Sequence, residues 1–498
     1  MPKTERIIII GVGIIGACIA RVLSRYQSLK VHLLEKEFDV GWGSSKANTA
    51  LIHAGYDDDP GRFPVRARIC VKGNALWRKW TRELSIPANW PGDLVIAVEE
   101  SETKTLGELQ ERGRRNEVPE TRIIQDRGEL EELEPNITPN AISALYAPSA
   151  GQIRHSVEAV IAVVGNAVDN GISLHLATEV ENVRVKNGHV IDIETNHGRF
   201  EADWVINAAG LYADVISNMV GIDHFRIHPR RGEYLIFSKD AYPKTKRILF
   251  PAPTQYSKGV VVTTTVDGNL MLGPNSQDLV KEESEATNTT SGGLEYVWKE
   301  AYRIVNSLPP RDKVIRTFAG LRAEPEPTAD FIIKAYDEVE GFINAAGIRS
   351  PGLTSAPAIA QEIIEIMKDR GVKLVRKKRW NPYRERPKAF REIGYRERDK
   401  LIKSNQLYGK MICQCELVTE AEIVEAIRRG ATSLDGVKFR TQAMMGECQG
   451  SFCEFTVAQI LARELGIPVW TVTKSGHGSE IGIGDITVLL KEREAEEG

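Results

Sequence analysis

Arg6-Ile7-Ile8-Ile9-Ile10-Gly11-Val12-Gly13-Ile14-Ile15-Gly16 is followed, after a short amphipathic stretch, by Lys30-Val31-His32-Leu33-Leu34-Glu35-Lys36. Four consecutive isoleucines read as a buried strand. The three glycines read as a tight turn opening a helix to about Arg25, and Lys30 to Glu35 as a second strand. Strand, turn, helix and strand in that order form a βαβ start. The first glycine permits the turn, the second lets a pyrophosphate approach the backbone, and the third packs helix on strand. The helix N-terminus offers N–H groups and a positive dipole end to phosphates. Glu35, 19 residues after Gly16, is placed to accept hydrogen bonds from ribose hydroxyls. The unit predicts a dinucleotide site on Gly11, Gly13, Ile14, Ile15, Gly16, Glu35 and Lys36.

Working outward, Gly41-Trp42-Gly43-Ser44-Ser45-Lys46-Ala47-Asn48-Thr49 sets small and hydroxyl side chains where a long flavin dinucleotide would continue. This loop resembles the flavin loop of the D-amino-acid-oxidase-like family of FAD-dependent oxidoreductases. Thr178-Glu179-Val180, Ala208-Ala209-Gly210 and Gly347-Ile348-Arg349-Ser350-Pro351-Gly352-Leu353-Thr354 are similar to that family's adenine strand, second flavin-side turn and closing flavin loop. The resemblance implies FAD as cofactor. It adds Ser44, Ser45, Asn48, Thr49, Val180, Ala209, Gly210, Gly347, Ile348, Gly352, Leu353 and Thr354 to the residues that hold it.

The chain of 498 residues, 42% hydrophobic, is long enough for two or three domains. A formal net charge of -3 gives no basic surface for nucleic acid, so none is expected as a partner. The six cysteines, four of them between Cys413 and Cys453, argue against a secreted disulfide scaffold and fit a reducing cytoplasm. Glycines interrupt the apolar run from Ile7 to Ala20, and no other stretch approaches the roughly 18 apolar residues of a membrane helix. Direct membrane insertion is therefore not expected.

The fold class expected is α/β: a Rossmann-like FAD-binding domain with an interleaved α+β substrate domain and a small C-terminal iron–sulfur module. The oxidoreductase domain is placed at 1–370, its substrate lobe mainly at 85–150 and 215–330, the former reading as irregular apart from a charged helical stretch around Glu100 to Glu117. Between Lys373 and Lys400 there are twelve Lys or Arg against four acids, read as a basic linker over 371–404. The module and a C-terminal tail take 405–498, and the charged end Lys491 to Glu497 carries no assigned chemistry.

Within the flavin family the chain looks most like glycerol-3-phosphate dehydrogenases and L-2-hydroxyglutarate dehydrogenases. The segments that carry this are Ile52-His53-Ala54-Gly55, Arg231-Gly232-Glu233-Tyr234, Asp267-Gly268 through Leu272-Gly273-Pro274, and Ala319-Gly320-Leu321-Arg322. Both groups oxidise a secondary alcohol beside an anion, so the protein must accept the hydroxyl proton and hold the charge. His53 is the candidate proton acceptor, with a packing histidine as the other reading. Arg322, Arg231 and Arg349 are candidates for gripping the anion, with structural ion pairs as the alternative, and Tyr234 is a further polar contact. One departure stands out. Bacterial glycerol-3-phosphate dehydrogenases run from this histidine into a phosphate-binding arginine, whereas here Gly55-Tyr56-Asp57-Asp58-Asp59 follows.

Cys413-Gln-Cys415 and Cys448-Gln-Gly-Ser-Phe-Cys453 leave spacings of one, 32 and four residues. Four such thiolates suit a 2Fe-2S cluster, a structural zinc, or neither. The Cys448 segment resembles the bacterioferritin-associated-ferredoxin-like 2Fe-2S module, so the resemblance assigns all four as cluster ligands. Thr419 and Glu422 form a capping box for a helix that Gly430 stops. Cys18 and Cys70 read as packing residues. The expected enzyme oxidises sn-glycerol 3-phosphate. Its electrons leave through the cluster to protein partners in a multi-subunit complex, among them an NAD(P)-linked flavoprotein or a quinone-linked protein. The alternatives are L-2-hydroxyglutarate, an amino or imino acid, or a non-catalytic relay subunit.

Overall fold

The computed structural model describes residues 4–253 and 259–484, so the tail Lys491 to Glu497 lies outside the described residues. Two compact units result: one from the chain up to Lys36 with Val40–Glu385, the other from Glu37–Asp39 with the chain from Arg386 onward.

In the first unit, β1 (Glu5–Ile10), α1 (Ile14–Leu23) and β2 (Leu29–Leu34) form the βαβ start. Ile7, Ile8 and Ile9 are buried on both faces, which is why the run lacks alternation. β1 lies central in a six-stranded sheet, flanked by β2 and by β3 (Trp204–Asn207), with all these pairings parallel. The sheet continues through Phe342–Ala346, parallel, to Ile332–Ala335, antiparallel. A Cβ on Gly16 would stand 2.0 Å from the Gly11 carbonyl oxygen, so only glycine lets α1 pack here.

Val180–Lys186, His189–Thr195 and Gly198–Glu201 form a three-stranded meander whose first turn has Asn187 and Gly188 both at positive φ. The 85–150 region corrects the reading of it as irregular. Asp93–Ala97, Arg122–Ile124 and Ser143–Ala147 are strands, while the expected charged helix runs Glu100–Arg115 with its own capping box. They join a nine-stranded sheet with residues 226–326, since Asp93–Ala97 pairs in parallel with Ile248–Pro251. Strands of three to five residues carry too little periodicity to show a partner some 150 residues away. The long members of that sheet are β4 (Arg226–Phe237) and β5 (Val314–Glu326), an antiparallel pair.

The expected linker also differs. Its first part runs along the first unit: the Trp380 indole donates to Ser24 at 2.9 Å, and Arg21 and Arg25 lie over the Trp380 ring. Asn166 donates to the carbonyls of Asn381 and Tyr383. The basic residues there frame a strap whose anchors are aromatic and amide groups, which charge counting does not reveal.

The second unit packs Ile423, Val424, Val437, Val457 and Leu461 from three short helices, Glu420–Arg428, Leu434–Thr441 and Glu454–Leu465. The Thr419–Glu422 capping box and Gly430 at φ +95° bound the first of these as expected. No helix among the described residues is long and apolar enough to cross a membrane.

Candidate functional site

The glycine turn divides its labour as the spacing requires. Gly11, at φ +96°, would place a Cβ 2.5 Å from the Ala208 carbonyl, so it is held by the turn that carries Ala209 and Gly210. Gly13 would meet only Ser45 Oγ at 3.2 Å, and Gly43 and Gly210 would meet nothing within 4 Å. These are backbone positions a ligand can approach. Around them the Val12 N–H donates to the Glu35 carboxylate at 2.8 Å and the Ile14 N–H to Ser45 Oγ at 2.9 Å. The Thr178 N–H donates to the Glu35 carbonyl at 2.7 Å, which brings the strand opened by Val180 to the end of β2. Lys36 turns to the Tyr212 ring, 4.1 Å away, and to Glu285. Asn48 and Ser44 do local work: the Asn48 amide donates to the Ser44 and Ser45 carbonyls and its oxygen accepts from Ala50 and Ser156. Backbone left open at Gly43 and Gly210, at the N-terminal end of α1 and beside an acid that closes β2, fits FAD.

The closing flavin loop differs slightly from expectation, because the helix after it spans Gly352–Asp369 and so takes in Leu353 and Thr354. Its first turn faces helix Pro64–Glu83: a Cβ on Gly73 would lie 2.0 Å from the Thr354 carbonyl, and the Trp77 indole donates to the Leu353 carbonyl at 2.8 Å. Gly347, at φ +63°, packs on Pro325, and Ile348 packs on Gly352.

This turn also holds His53. Its backbone N–H donates to Thr354 Oγ1 at 2.9 Å, its carbonyl accepts from Asn74 at 2.9 Å, and its ring lies 6.0 Å from that of Phe250. The three acids downstream have basic partners. Asp57 Oδ2 lies 3.6 Å from His53 Nδ1, Asp58 pairs with Arg66, and Asp59 sits 2.7 Å from Arg115. Three consecutive acids are by themselves poor phosphate ligands. The four-residue offset from His53 to Asp57 was the available signal.

β4 and β5 sort the remaining candidates by face. Alternation puts Gly232, Tyr234 and Arg322 on one face and Arg231 and Glu233 on the other, with Arg230 opposite Arg322 and Tyr234 opposite Phe318. A Cβ on Gly320 would lie 1.9 Å from the Ala47 carbonyl, so β5 rests on the flavin loop. There Thr49 and Arg322 hydrogen-bond to the buried Tyr234 hydroxyl, and Tyr234 stacks on Phe318 with ring centroids 4.5 Å apart. Burial raises the Tyr234 phenol, against those two donors. Arg322 also donates to the Asn275 carbonyl at 3.2 Å, and among the described residues it makes no ion pair. Arg231 instead donates to Asn288 and Gln277 on the opposite face. Beside it Glu233, fully buried, accepts from the Thr290 N–H and from Asn275, at the N-terminus of helix Ser291–Ala301. Arg349 is taken up by Glu324 at 2.9 Å, and burial lowers its guanidinium. The structure therefore brings together Thr49, Tyr234 and Arg322, and separately His53 and Thr354. Arg231 lies away from the former group, and Arg349 is committed to a carboxylate.

Behind His53, the Tyr56 hydroxyl donates to Asp93 at 2.9 Å, both groups being fully buried. Burial holds the Asp93 carboxyl well above the ordinary carboxylate range, against the hydrogen bond from Tyr56. A raised carboxyl contributes stability that is fully present below about pH 4 and lost as pH rises through the folded-state value. Asp93→Asn, neutral throughout, should melt at least about 2 °C above wild type at pH 8 and within about 1 °C of it at pH 4, as read by thermal denaturation.

In the second unit the four cysteine sulfurs come as two pairs. Cys415 lies 3.5 Å from Cys448, and Cys413 is hydrogen-bonded to Cys453. Among the described residues no three His, Cys, Asp or Glu side chains group around one metal ion. Two pairs suit two irons that each take two thiolates. The hydrogen bond from Cys453, with backbone N–H groups of Met444 and Glu416, pulls the Cys413 thiol down to about 6, while Cys453 is raised. Burial raises Cys448, but the Phe452 and Gly450 N–H groups outweigh it and leave the thiol lowered. Backbone donors aimed at sulfur stabilise thiolates and fit a cluster. Cys18 and Cys70 are buried packing residues, Cys18 with its thiol raised by burial.

Comparison with known proteins agrees with this arrangement. Residues 6–366 match the DAO family of FAD dependent oxidoreductases, and residues 411–463 match the BFD-like 2Fe-2S binding domain. A glycerol 3-phosphate dehydrogenase of Caloramator mitchellensis is 45% identical over 479 residues, 96% of this chain and 98% of that one. A glycerol 3-phosphate oxidase of Mycoplasma genitalium is 31% identical over 385 residues, 76% of this chain and 98% of that one. The solved structure of a dithionite-reduced L-α-glycerophosphate oxidase from Mycoplasma pneumoniae with FAD bound superposes with a TM-score of 0.72 at 30% identity, covering 78% of this chain and 100% of that chain. The chain belongs to the DAO family of FAD dependent oxidoreductases and carries, later in its sequence, a BFD-like 2Fe-2S binding domain.

Proposed function

We propose that the first unit oxidises sn-glycerol 3-phosphate to dihydroxyacetone phosphate and that the electrons leave through the second unit to a protein acceptor. The observation that carries the substrate class is Arg322, a guanidinium without an ion pair among the described residues, beside the Tyr234 and Thr49 hydroxyls on the flavin-loop face. A guanidinium lacking a protein carboxylate suits a substrate that brings its own anion. Bound FAD supplies an acceptor for hydride, and a bound 2Fe-2S cluster supplies a one-electron carrier.

The chain's own residues do the rest. Arg322, Tyr234 and Thr49 bind the anion and its neighbouring oxygen, and His53 accepts the hydroxyl proton while the carbinol carbon gives up its hydride, leaving a ketone. Dehydrogenase rather than oxidase is supported by coverage. The relative named a dehydrogenase aligns with 96% of this chain, whereas the oxidase structure is wholly matched by 78% of it.

Anaerobic stopped-flow bleaching of the flavin by glycerol 3-phosphate, L-2-hydroxyglutarate and proline tests the reading. Rapid bleaching by glycerol 3-phosphate alone is expected. Bleaching by another compound transfers the assignment to it, and bleaching by none leaves a relay subunit. His53→Ala should slow the productive bleaching about 100-fold or more, and near-normal bleaching would retire its role as base.

A further inference from the structure

We propose that Asp57 is a positioning residue for His53, its carboxylate orienting the imidazole with a proton on Nδ1 so that Nε2 takes the proton of the substrate hydroxyl. This rests on the reading of His53 as the base. It gives a role to Asp57, the first of the three acids after the histidine, which the substrate reading leaves unexplained.

Three observations converge. The Asp57 carboxylate lies 3.6 Å from Nδ1, four residues on, and both side chains are largely shielded, at 17% and 14% exposure. His53 is pinned at its backbone by Thr354 on one side and Asn74 on the other, and a carboxylate beside Nδ1 restricts rotation of its ring. Asp58 and Asp59 pair with Arg66 and Arg115, while Asp57 lies beside the imidazole. Among the described residues, Tyr56 in the same loop, Asp93 from strand Asp93–Ala97 and Arg112 from helix Glu100–Arg115 are charged or titratable groups beside Asp57. Arg112 donates to the Asp57 carbonyl at 3.5 Å.

The chemistry balances simply. The hydroxyl proton moves to Nε2 as the carbon-bound hydride departs with its electron pair to the two-electron acceptor that bound FAD would supply, and the imidazolium formed is stabilised by the Asp57 charge until its proton passes to solvent. The sign of the pH effect follows. A neighbouring carboxylate favours the protonated imidazole, while the base works in its neutral form. Removing the carboxylate therefore lowers the pH at which His53 becomes competent, even as it lowers the rate.

The test is 15N NMR of holoenzyme labelled only in histidine, with the His53 signals assigned by their loss in His53→Gln, together with pH profiles of kcat/KM. Wild type should show the tautomer protonated at Nδ1. In Asp57→Asn the His53 titration midpoint and the acid limb of kcat/KM should both fall by about one pH unit. kcat should drop about 10- to 100-fold, with KM within about threefold of wild type. Asp57→Glu should restore most of the midpoint, and Asp59→Asn should change neither quantity. A wild-type tautomer protonated at Nε2, readable even if Asp57→Asn does not fold, would overturn the proposal, as would a midpoint unmoved in a folded Asp57→Asn. If no hydroxy acid bleaches the flavin, the proposed function falls while the tautomer and midpoint still decide this point.

Discussion

Cys413→Ser should empty the second unit of iron while the first keeps its FAD. Cys413 is 1% exposed, in a core with Val418, Ile423, Val457 and Leu461. Serine is nearly the same size, so the expected folding cost is only the roughly 1–3 kcal/mol of a buried hydroxyl. The consequence for the cluster is larger, because each iron needs both of its thiolates and Cys413 is the partner of Cys453. Iron and acid-labile sulfide should fall from about two per chain to below about 0.2, and the cluster's visible absorbance should disappear with them. Bleaching of the flavin by substrate should stay within about threefold of wild type, whereas turnover with a one-electron acceptor should fall by about 100-fold or more. Cys18→Ser, in α1, should leave the iron content intact. Full iron in Cys413→Ser would remove Cys413 from the ligand set.

Arg322→Ala should lower kcat/KM for glycerol 3-phosphate by two to three orders of magnitude, mostly through KM. Two charge-assisted hydrogen bonds to a substrate anion are worth about 3–4 kcal/mol, and each 1.4 kcal/mol is about tenfold. Arg322→Lys should recover part of the loss, as a point charge without the planar fork. The other two arginines make the comparison informative. Arg231→Ala removes a group on the opposite face of β4 and should leave KM within about threefold. Arg349→Ala strips Glu324 of a buried partner, so its effect should appear in melting temperature before KM. Steady-state kinetics and thermal melts on the three variants separate these outcomes. An unchanged KM in Arg322→Ala would move the anion site elsewhere.

Much of this molecule was legible one segment at a time. The glycine turn, Glu35, the Thr419–Glu422 capping box and the Asn187–Gly188 turn each declare themselves within a few residues, because their physics is local: a steric demand on one φ, a cap on one helix end. Arg322 and Tyr234 were legible as candidates, since their motif lies on long strands. Arg231 was misgrouped with them, as one position along a pleated strand reverses the face. Arg349 read as a substrate contact because its carboxylate, Glu324, lies 25 residues away on β5. The 85–150 lobe read as irregular because its strands take their hydrogen bonds from residues after 240.

The sequence by itself determined that the chain builds a dinucleotide-binding βαβ unit and ends in a four-cysteine module, because both are written in spacings that backbone geometry and ligand valence enforce locally. Tertiary structure alone decided which arginine stands beside Tyr234 on the flavin-loop face, which carboxylate lies beside the imidazole, and how the sulfurs pair. Those outcomes depend on the juxtaposition of groups far apart in the chain, where a shift of one residue in register exchanges one partner for another.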